Sequence, residues 1–262
     1  GDAVGGGAPG SRLRRGVQGL VVPGLKPGRV AARRTTTVLR MRFEDRSVRS
    51  QVAQLRPVAF DVLRQYPVEV ASLRLLNHGF NTTFRVDTVD GQRFALRLNV
   101  NSRRTDAFIG AEMAWLAALS EETDLWVPTP QRTRSGELLA HVDCPPLGRA
   151  IPAALFSWLP GSDLGEEATP NQMRAVGRAA ATLHAHGETW QLPPGTALPA
   201  IDTVLMDVPY VLDQDHPLLS AADHELIDAM FAHVQGHYDT MFAGARRQPL
   251  HADLHIWNLR WH

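Results

Sequence analysis

The sequence of 262 residues has few of the features on which secreted and membrane proteins depend. Cys144 is its single cysteine, which excludes a disulfide within the chain. No apolar run reaches the roughly 18 residues that a transmembrane helix requires. These absences predict a cytoplasmic protein with no membrane partner, and a hydrophobic content of 44% is sufficient for a sizeable core.

The chain also has no net charge, but its charges are unevenly distributed. Residues 1–40 contain eight Arg and Lys and one Asp, whereas the remaining residues contain 19 basic and 26 acidic side chains. This first segment is rich in Gly and Pro and has no apolar periodicity, so we expect a disordered basic leader before Met41, the candidate natural start. Its apolar stretch is too short and interrupted for a secretory signal. Because no aromatic residues are interleaved with its arginines, a nucleic-acid partner is not expected.

From Met41 onward, apolar periodicity predicts a mixture of helical and extended segments. Residues 47–65 form a predicted amphipathic helix, which Pro57 is expected to bend or divide. Three predicted strands follow, and an Asp-Gly turn is typical of a hairpin between the second and the third. These strands are Val70–Leu76, Thr82–Val89 and Arg93–Val100, with the turn at Asp90-Gly91.

The rest of the chain has two more predicted strands and is then mainly helical. A hairpin leads to a strand over 138–142, and the apolar run Ala150–Trp158 predicts a buried strand. One helix is predicted from a cap at Thr169 to Gly187, and another over Ala221–Met241. This order of elements predicts an α+β fold.

A polar stretch from His251 to Asn258 carries the clearest chemical signal. It reads H-x-D-L-x-x-x-N, in the same order as the catalytic-loop motif H-R-D-L-x-x-x-x-N. An Asp in such a loop accepts the proton of an attacking hydroxyl, and the Asn offers a carbonyl oxygen to the magnesium on the nucleotide phosphates. The motif therefore indicates phosphoryl transfer from ATP with Mg²⁺, in which Asp253 is the catalytic base, Asn258 a metal ligand, and His251 holds the loop through hydrogen bonds.

The same stretch permits other interpretations. His251, Asp253 and His255 alternate, so an extended segment would place them on one face, as in a metal-dependent hydrolase. Against this, such a site needs further ligands at short spacing. The close pair His184 and His186 lies in a predicted helix, where residues two apart do not share a face. A surface turn without chemistry is also possible because short motifs recur by chance. A catalytically inactive nucleotide-binding or scaffold module is a further alternative.

Candidate nucleotide-binding residues lie on and between the predicted strands. Gly79 and Asn81 belong to a turn whose backbone N–H groups could cover a triphosphate, although an ordinary turn explains one glycine equally well. Arg97 occupies the place of the lysine in the V-A-I-K motif of kinases, and its guanidinium can bind phosphate oxygens in pairs. Glu112 lies on the next predicted helix, which is expected to begin at Thr105-Asp106, and is placed to pair with Arg97. The alternatives are an arginine and a glutamate that face solvent.

The predicted strand Ala150–Trp158 ends in the turn Leu159-Pro160-Gly161. A buried strand that ends in a Pro-Gly turn is typical of the boundary between two lobes. In kinases the backbone of such a connector contacts the adenine edge. Phe156, Ser157 and Trp158 are therefore candidate adenine-binding residues, and a plain core strand is the alternative. This boundary predicts a nucleotide-binding lobe over 41–158 and a helical catalytic lobe over 159–262.

Taken in order, these residues resemble the aminoglycoside phosphotransferase superfamily, which includes choline kinase-like and homoserine kinase type II-like enzymes. The resemblance extends from Leu73 to Asn258. It rests on Gly79-Phe80-Asn81, Ala95-Leu96-Arg97, Glu112, Leu159-Pro160-Gly161, Thr182-Leu183-His184 and His251-x-Asp253 with Asn258. It implies a two-lobed, protein-kinase-like α+β fold and ATP-dependent phosphorylation of a hydroxyl group on a small molecule.

The resemblance has one further implication. Enzymes of this superfamily follow the catalytic loop with a hairpin whose Asp holds magnesium, and then with helices that complete the substrate pocket. This chain stops at His262, which implies a helical lobe that is truncated at the C-terminus. The sequence leaves the identity of the substrate and the oligomeric state open.

Overall fold

A computed structural model describes residues 42–102, 104–206 and 218–262, so the predicted basic leader over 1–40 lies outside the described residues. In the described ranges the chain forms four α-helices and seven strands. These elements are α1 (Val48–Leu63), β1 (Val70–His78), β2 (Thr82–Thr88), β3 (Arg93–Leu98), α2 (Asp106–Glu122), β4 (Ala140–Cys144), β5 (Arg149–Ser157), β6 (Ser162–Asp163), α3 (Pro170–Thr189), α4 (Ala221–Met241) and β7 (Arg260–Trp261). Among the described helices, none combines the length and the apolar character needed to cross a bilayer.

Five strands form one antiparallel sheet in the order β1-β2-β3-β5-β4. The β2–β3 hairpin turns at Asp90-Gly91, where Gly91 has a φ of 83° that favours glycine. β5 lies inside the sheet, since Ala154 pairs with Arg97 of β3 and Ile151 pairs with Val142 of β4. The inner position of β5 explains its apolar sequence, because both faces of the strand are covered.

α1 covers one face of this sheet. Leu55 and Ala59 of the helix are buried in a core with Phe84 of β2 and Leu96 of β3. A fully buried Leu or Phe side chain contributes roughly 1.5–3 kcal/mol to stability. Because side chains alternate along a strand, burial of Leu96 on this side leaves Arg97 on the opposite face.

α2 packs against that opposite face. Ile109 and Met113 of α2 form a second buried cluster with Ala154 and Phe156 of β5. The helix begins where the Thr105 side chain accepts the N–H of Phe108 at 3.3 Å, which is the predicted cap. This packing brings the helix that carries Glu112 next to the strands that carry Arg97 and Phe156.

Pro57 does not divide α1, which is continuous from Val48 to Leu63, so that part of the expectation was wrong. A proline inside a helix removes one backbone hydrogen bond and typically costs about 3 kcal/mol. Leu55 and Val58, on either side of Pro57, are both buried in the same core. Burial of the helix face therefore outweighs the lost hydrogen bond.

α3 ends at Thr189, two residues beyond its predicted end at Gly187. Gly187 has a different role, because a Cβ atom at this position would lie 2.7 Å from the carbonyl oxygen of Pro249. The glycine permits a close approach between the helix and the chain just before His251. α3 therefore supports the polar stretch that the sequence singles out.

Candidate active site

Arg97 and Glu112 form a bidentate ion pair between β3 and α2. Nη1 of Arg97 donates to Oε1 of Glu112 at 2.7 Å, and Nη2 donates to Oε2 at 3.0 Å. The side chains are 20% and 28% exposed, so this pair is better shielded from solvent than an ordinary surface ion pair. The pairing expected from the sequence is present, and its role in phosphate binding stays a prediction.

Neighbouring side chains hold the guanidinium of Arg97 in place, and the charged groups of this cluster sum to a net positive charge. Its Cζ lies 5.1 Å from the ring centroid of Phe156, within the range of a cation–π contact. Nη1 of Arg104 lies 3.7 Å from Oε2 of Glu112, so two arginines share one carboxylate. The cluster therefore carries a net positive charge that suits an anion. Arg104 was missed by the sequence analysis because it precedes the helix in an irregular segment without periodicity.

The turn of Gly79, Phe80 and Asn81 joins β1 to β2. The N–H of Gly79 donates to the carbonyl of Asn81 at 3.0 Å, and the side chain of Asn101 donates to the carbonyl of Gly79 at 2.8 Å. Oδ1 of Asn81 is buried and has no hydrogen-bond partner in the described structure. A Cβ atom at Gly79 would meet no neighbour within 4 Å, so packing alone does not require glycine there.

Phe156 and Ser157 are held by neighbouring segments, whereas Trp158 lies just beyond the end of β5. The backbone N–H of Ser157 donates to the carbonyl of Thr129 at 2.9 Å, and its hydroxyl accepts the N–H of Thr129 at 2.9 Å. Trp158 is half-buried, with Cζ of Arg85 5.9 Å from its ring. Ser157 therefore already uses its backbone N–H within the protein. Adenine binding by Phe156, Ser157 and Trp158 stays a prediction.

His251 to Asn258 form an exposed loop that brings the two candidate catalytic groups into contact. Nδ2 of Asn258 donates to the carbonyl of Asp253 at 2.8 Å and to its carboxylate Oδ2 at 2.9 Å. Because the amide nitrogen of Asn258 is bound to Asp253, its carbonyl oxygen is the atom left to receive a cation. Nδ1 of His251 accepts the N–H of Asp253 at 3.3 Å, and the role of His251 in holding the loop stays a prediction.

The alternating residues of this loop do not form the ligand set of a hydrolase. Nδ1 of His255 accepts the N–H of Trp257 at 3.2 Å, and Nδ1 of His251 is likewise bound within the loop. Nε2 of His255 lies 3.4 Å from the carboxylate of Asp253. Within the ranges that the structure describes, no group of three or more His, Cys, Asp or Glu side chains is placed to hold a metal ion.

The loop rests on a base made by α2 and α3. Leu254 packs on a cluster that includes Trp115 of α2 and Leu183 of α3. The indole N–H of Trp115 donates to Nδ1 of His186 at 3.0 Å, so His186 carries its proton on Nε2, which lies 3.1 Å from the carboxylate of Glu122. His186 is thus engaged in structural contacts between the two helices.

The turn after β5 contacts the chain that follows the loop. β6 and β7 pair as a short ribbon, in which Nη1 of Arg260 donates to Oδ1 of Asp163 at 2.7 Å. Gly161 has a φ of 95°, and a Cβ atom there would overlap the carbonyl oxygen of Trp261. Only glycine fits this turn, which ties the connector after β5 to the segment after Asn258.

Comparison with known proteins assigns the chain to a family. Residues 72–262 match the model of the phosphotransferase enzyme family. Since the match covers most of the chain, the chain belongs to this family, as the resemblance implied. A search of curated proteins found no match.

Two solved structures of kinases are similar to the chain. A microcompartment-associated aminopropanol kinase is 26% identical with a TM-score of 0.51, covering 80% of this chain and 64% of that one. An amicoumacin kinase in complex with AMP-PNP, Ca²⁺ and Ami is 16% identical with a TM-score of 0.59, covering 82% and 64%. These likenesses confirm the two-lobed, protein-kinase-like α+β fold. The chain spans about 64% of the length of each of these two proteins.

Proposed function

We propose that the chain carries the nucleotide site and catalytic loop of an ATP-dependent phosphotransferase that phosphorylates a hydroxyl group of a small molecule. The Arg97–Glu112 ion pair is the observation that carries this proposal, because it joins residues 15 positions apart on two elements in the arrangement that kinases use for phosphate. Family membership supports phosphate transfer. The names of the two similar kinases support a small-molecule acceptor.

The nucleotide phosphates are bound by Arg97 and by the turn between β1 and β2. The pair with Glu112 uses one N–H of each Nη atom, so the second N–H of each Nη can bind phosphate oxygens. Gly79 and Asn81 cover the phosphates with the turn. The backbone groups of Phe156, Ser157 and Trp158 other than the N–H of Ser157 contact the adenine edge. These residues separate a nucleotide-binding lobe over 41–158 from a catalytic lobe over 159–262.

The donor set of the loop fits magnesium. Mg²⁺ prefers oxygen ligands, and the loop offers the carbonyl oxygen of Asn258 next to the carboxylate of Asp253. Both residues are exposed, so water can complete the coordination. Bound Mg²⁺ would neutralise charge on the nucleotide phosphates.

Asp253 acts as the base that receives the proton of the acceptor hydroxyl. The hydroxyl oxygen forms a bond to the γ-phosphorus, the bond between that phosphorus and the bridging oxygen breaks, and ADP leaves. Asn258 orients the Asp253 carboxylate through its amide, and His251 holds the backbone of Asp253. The reaction takes place in the cytoplasm, where ATP is available.

Thermal unfolding with and without nucleotide tests the proposal. ATP with Mg²⁺ should raise the melting temperature, because a ligand that binds only the folded state stabilises it. Transfer of phosphate to small amino alcohols, including aminopropanol, should then be measured. Stabilisation by ATP without transfer to any acceptor would favour a nucleotide-binding module, and stabilisation by Zn²⁺ alone would contradict the proposal.

A further inference from the structure

The turn between β1 and β2 has little packing of its own. Phe80 is 60% exposed, and a Cβ atom at Gly79 would meet no neighbour within 4 Å. Asn101 binds the turn twice: its side-chain Nδ2 donates to the carbonyl of Gly79 at 2.8 Å, and its backbone N–H donates to the carbonyl of Phe80 at 3.2 Å. Hydrogen bonds from Asn101 therefore restrain the tip of this turn.

The segment that carries Asn101 is itself fixed to the sheet. The backbone N–H and the side-chain Nδ2 of Asn99 donate to the carbonyl of Pro152 at 3.0 Å and 3.1 Å, and Asn99 is only 3% exposed. The guanidinium of Arg149 donates to the carbonyl of Val100. β5 thus holds residues 99–101 in place, and Asn101 passes this restraint to the turn.

The base of the turn is fixed from the side of α1. Oγ1 of Thr82 lies 2.8 Å from Nδ1 of His78, and Nε2 of His78 lies 2.7 Å from Oε1 of Gln51. The oxygen of Gln51 can only accept, so His78 carries its proton on Nε2 and accepts the Thr82 hydroxyl at Nδ1. Burial lowers the pKa of His78, which favours this neutral form. With the base held in this way, the conformation of the tip depends on Asn101.

We propose that Asn101 is a positioning residue for the nucleotide, because it holds the tip of the Gly79–Asn81 turn in the shape that binds phosphate. This inference rests on the proposed function. A turn that is ordered before binding loses less conformational entropy when the ligand arrives, so the restraint increases affinity without contacting the nucleotide. Asn101 follows Arg97 along the same chain, so one segment positions both the arginine and the turn.

The test compares three variants by isothermal titration with AMP-PNP and Mg²⁺. Asn101→Ala removes one hydrogen bond and should weaken binding about 3- to 10-fold. Asn101→Gln keeps an amide donor on a longer side chain and should restore most of the affinity. Asn171→Ala, at an exposed asparagine whose oxygen accepts from nearby Arg174, is the matched control and should bind like the wild type. In the transfer assay, Asn101→Ala should raise KM for ATP by the same factor and leave kcat, KM for the acceptor and the melting temperature unchanged.

Three other results would contradict either the inference about Asn101 or the proposed function. Equal affinity of the wild type and Asn101→Ala for AMP-PNP overturns this inference and leaves the proposed function standing. A lower melting temperature with a matching loss of kcat means that Asn101 supports the fold in general, and also overturns it. Absence of AMP-PNP binding by the wild type overturns the proposed function and with it the inference.

Discussion

In the proposed nucleotide site, Arg97 can make contacts that a lysine at the same place could not. Its planar guanidinium binds Glu112 with two parallel hydrogen bonds, lies against the ring of Phe156, and keeps further donors for phosphate. A lysine ammonium is a compact point charge and cannot make both contacts at once. The local geometry therefore depends on arginine, although the V-A-I-K motif of kinases has lysine at this place.

Arg97→Ala should raise KM for ATP roughly 10- to 100-fold, because a charge-assisted hydrogen bond contributes about 1.5–3 kcal/mol. Arg97→Lys should have a smaller effect in the same direction, since the charge remains but the paired geometry is lost. Steady-state kinetics with varied ATP measures both. Arg74→Ala, at an exposed arginine on β1 of the same sheet, is the control. An unchanged KM in Arg97→Ala would mean that the Arg97–Glu112 pair is structural and does not bind phosphate.

Tyr66 makes the stability of the fold sensitive to alkaline pH. Burial raises its pKa to about 12, whereas tyrosine in an unfolded chain titrates near 10. Between these values the unfolded state loses its proton first, so the free energy of unfolding falls as pH rises from about 10 to 12 and is unaffected below pH 10. The chain has one lysine and three tyrosines, so few other groups titrate in this window.

Urea denaturation at pH 9 and pH 11 tests this prediction. The wild type should lose roughly 1 kcal/mol more stability between the two pH values than Tyr66→Phe, which has no proton to lose. Tyr238→Phe, at a half-buried tyrosine on α4, should behave like the wild type. Equal losses in the wild type and Tyr66→Phe would exclude this role of Tyr66.

Among the elements, α3 contains two glycines, Gly187 and Gly177. Substituting each by alanine separates the effect of close packing from the effect of helix propensity. Gly187→Ala should lower the melting temperature and kcat, because its Cβ would press on the carbonyl of Pro249 and displace the His251–Asn258 loop, the proposed catalytic loop. Gly177→Ala should raise the stability by about 1 kcal/mol, since its surroundings are empty and alanine favours the helix. Thermal unfolding and kinetics of both variants measure the difference. A Gly187→Ala variant as stable and active as the wild type would mean that α3 does not support the loop.

Local sequence signals were sufficient for several elements. The Asp90-Gly91 turn predicted the β2–β3 hairpin, Thr105 predicted the start of α2, and the helix predicted over Ala221–Met241 has the bounds of α4. In each case the signal lies within a few residues of the feature it predicts. The Arg97–Glu112 contact could also be predicted, because kinases place this pair on a strand and the helix after it.

Other features depend on contacts between distant parts of the chain and gave no local signal. The position of β5 between β3 and β4 follows from strand pairing, and Asp163 of β6 contacts Arg260 of β7 across 97 positions. Pro57 does not divide α1, because burial of the helix face outweighs the lost hydrogen bond, and α3 continues two residues past Gly187, where glycine permits the close approach to Pro249. Asn101 was missed because it lies in an irregular segment where its partners cannot be inferred.

For the whole molecule, the first 40 residues carry a prediction of their own, since they lie outside the described residues. Trypsin should trim the chain rapidly towards Met41 and then slow, because a segment without apolar periodicity does not order itself. The sites available in this segment are Arg12, Arg14, Arg15, Lys26, Arg29, Arg33, Arg34 and Arg40. The trimmed and untrimmed proteins should melt at nearly the same temperature. A protected segment, or a trimmed form several degrees less stable, would mean that these residues pack on the fold.

The proposed reaction requires both lobes, because Arg97 lies on the sheet and Asp253 on the loop that α2 and α3 support. The order of motifs was sufficient to predict the kinase-like fold and to select candidate residues in each lobe. The order of motifs could not predict where the acceptor binds, because the shape of a substrate pocket depends on side chains from elements that are far apart in sequence.

Transfer of labelled γ-phosphate from ATP to an acceptor alcohol, by wild type and by Asp253→Asn, tests the central claim most directly. Asp253→Asn should lower kcat roughly a hundredfold or more and leave AMP-PNP affinity nearly unchanged, because the amide keeps the shape of the side chain but cannot accept the proton. Asp124→Asn, at an exposed aspartate after α2, should transfer phosphate like the wild type. Equal kcat in Asp253→Asn and the wild type would contradict the assignment of the loop as the catalytic centre.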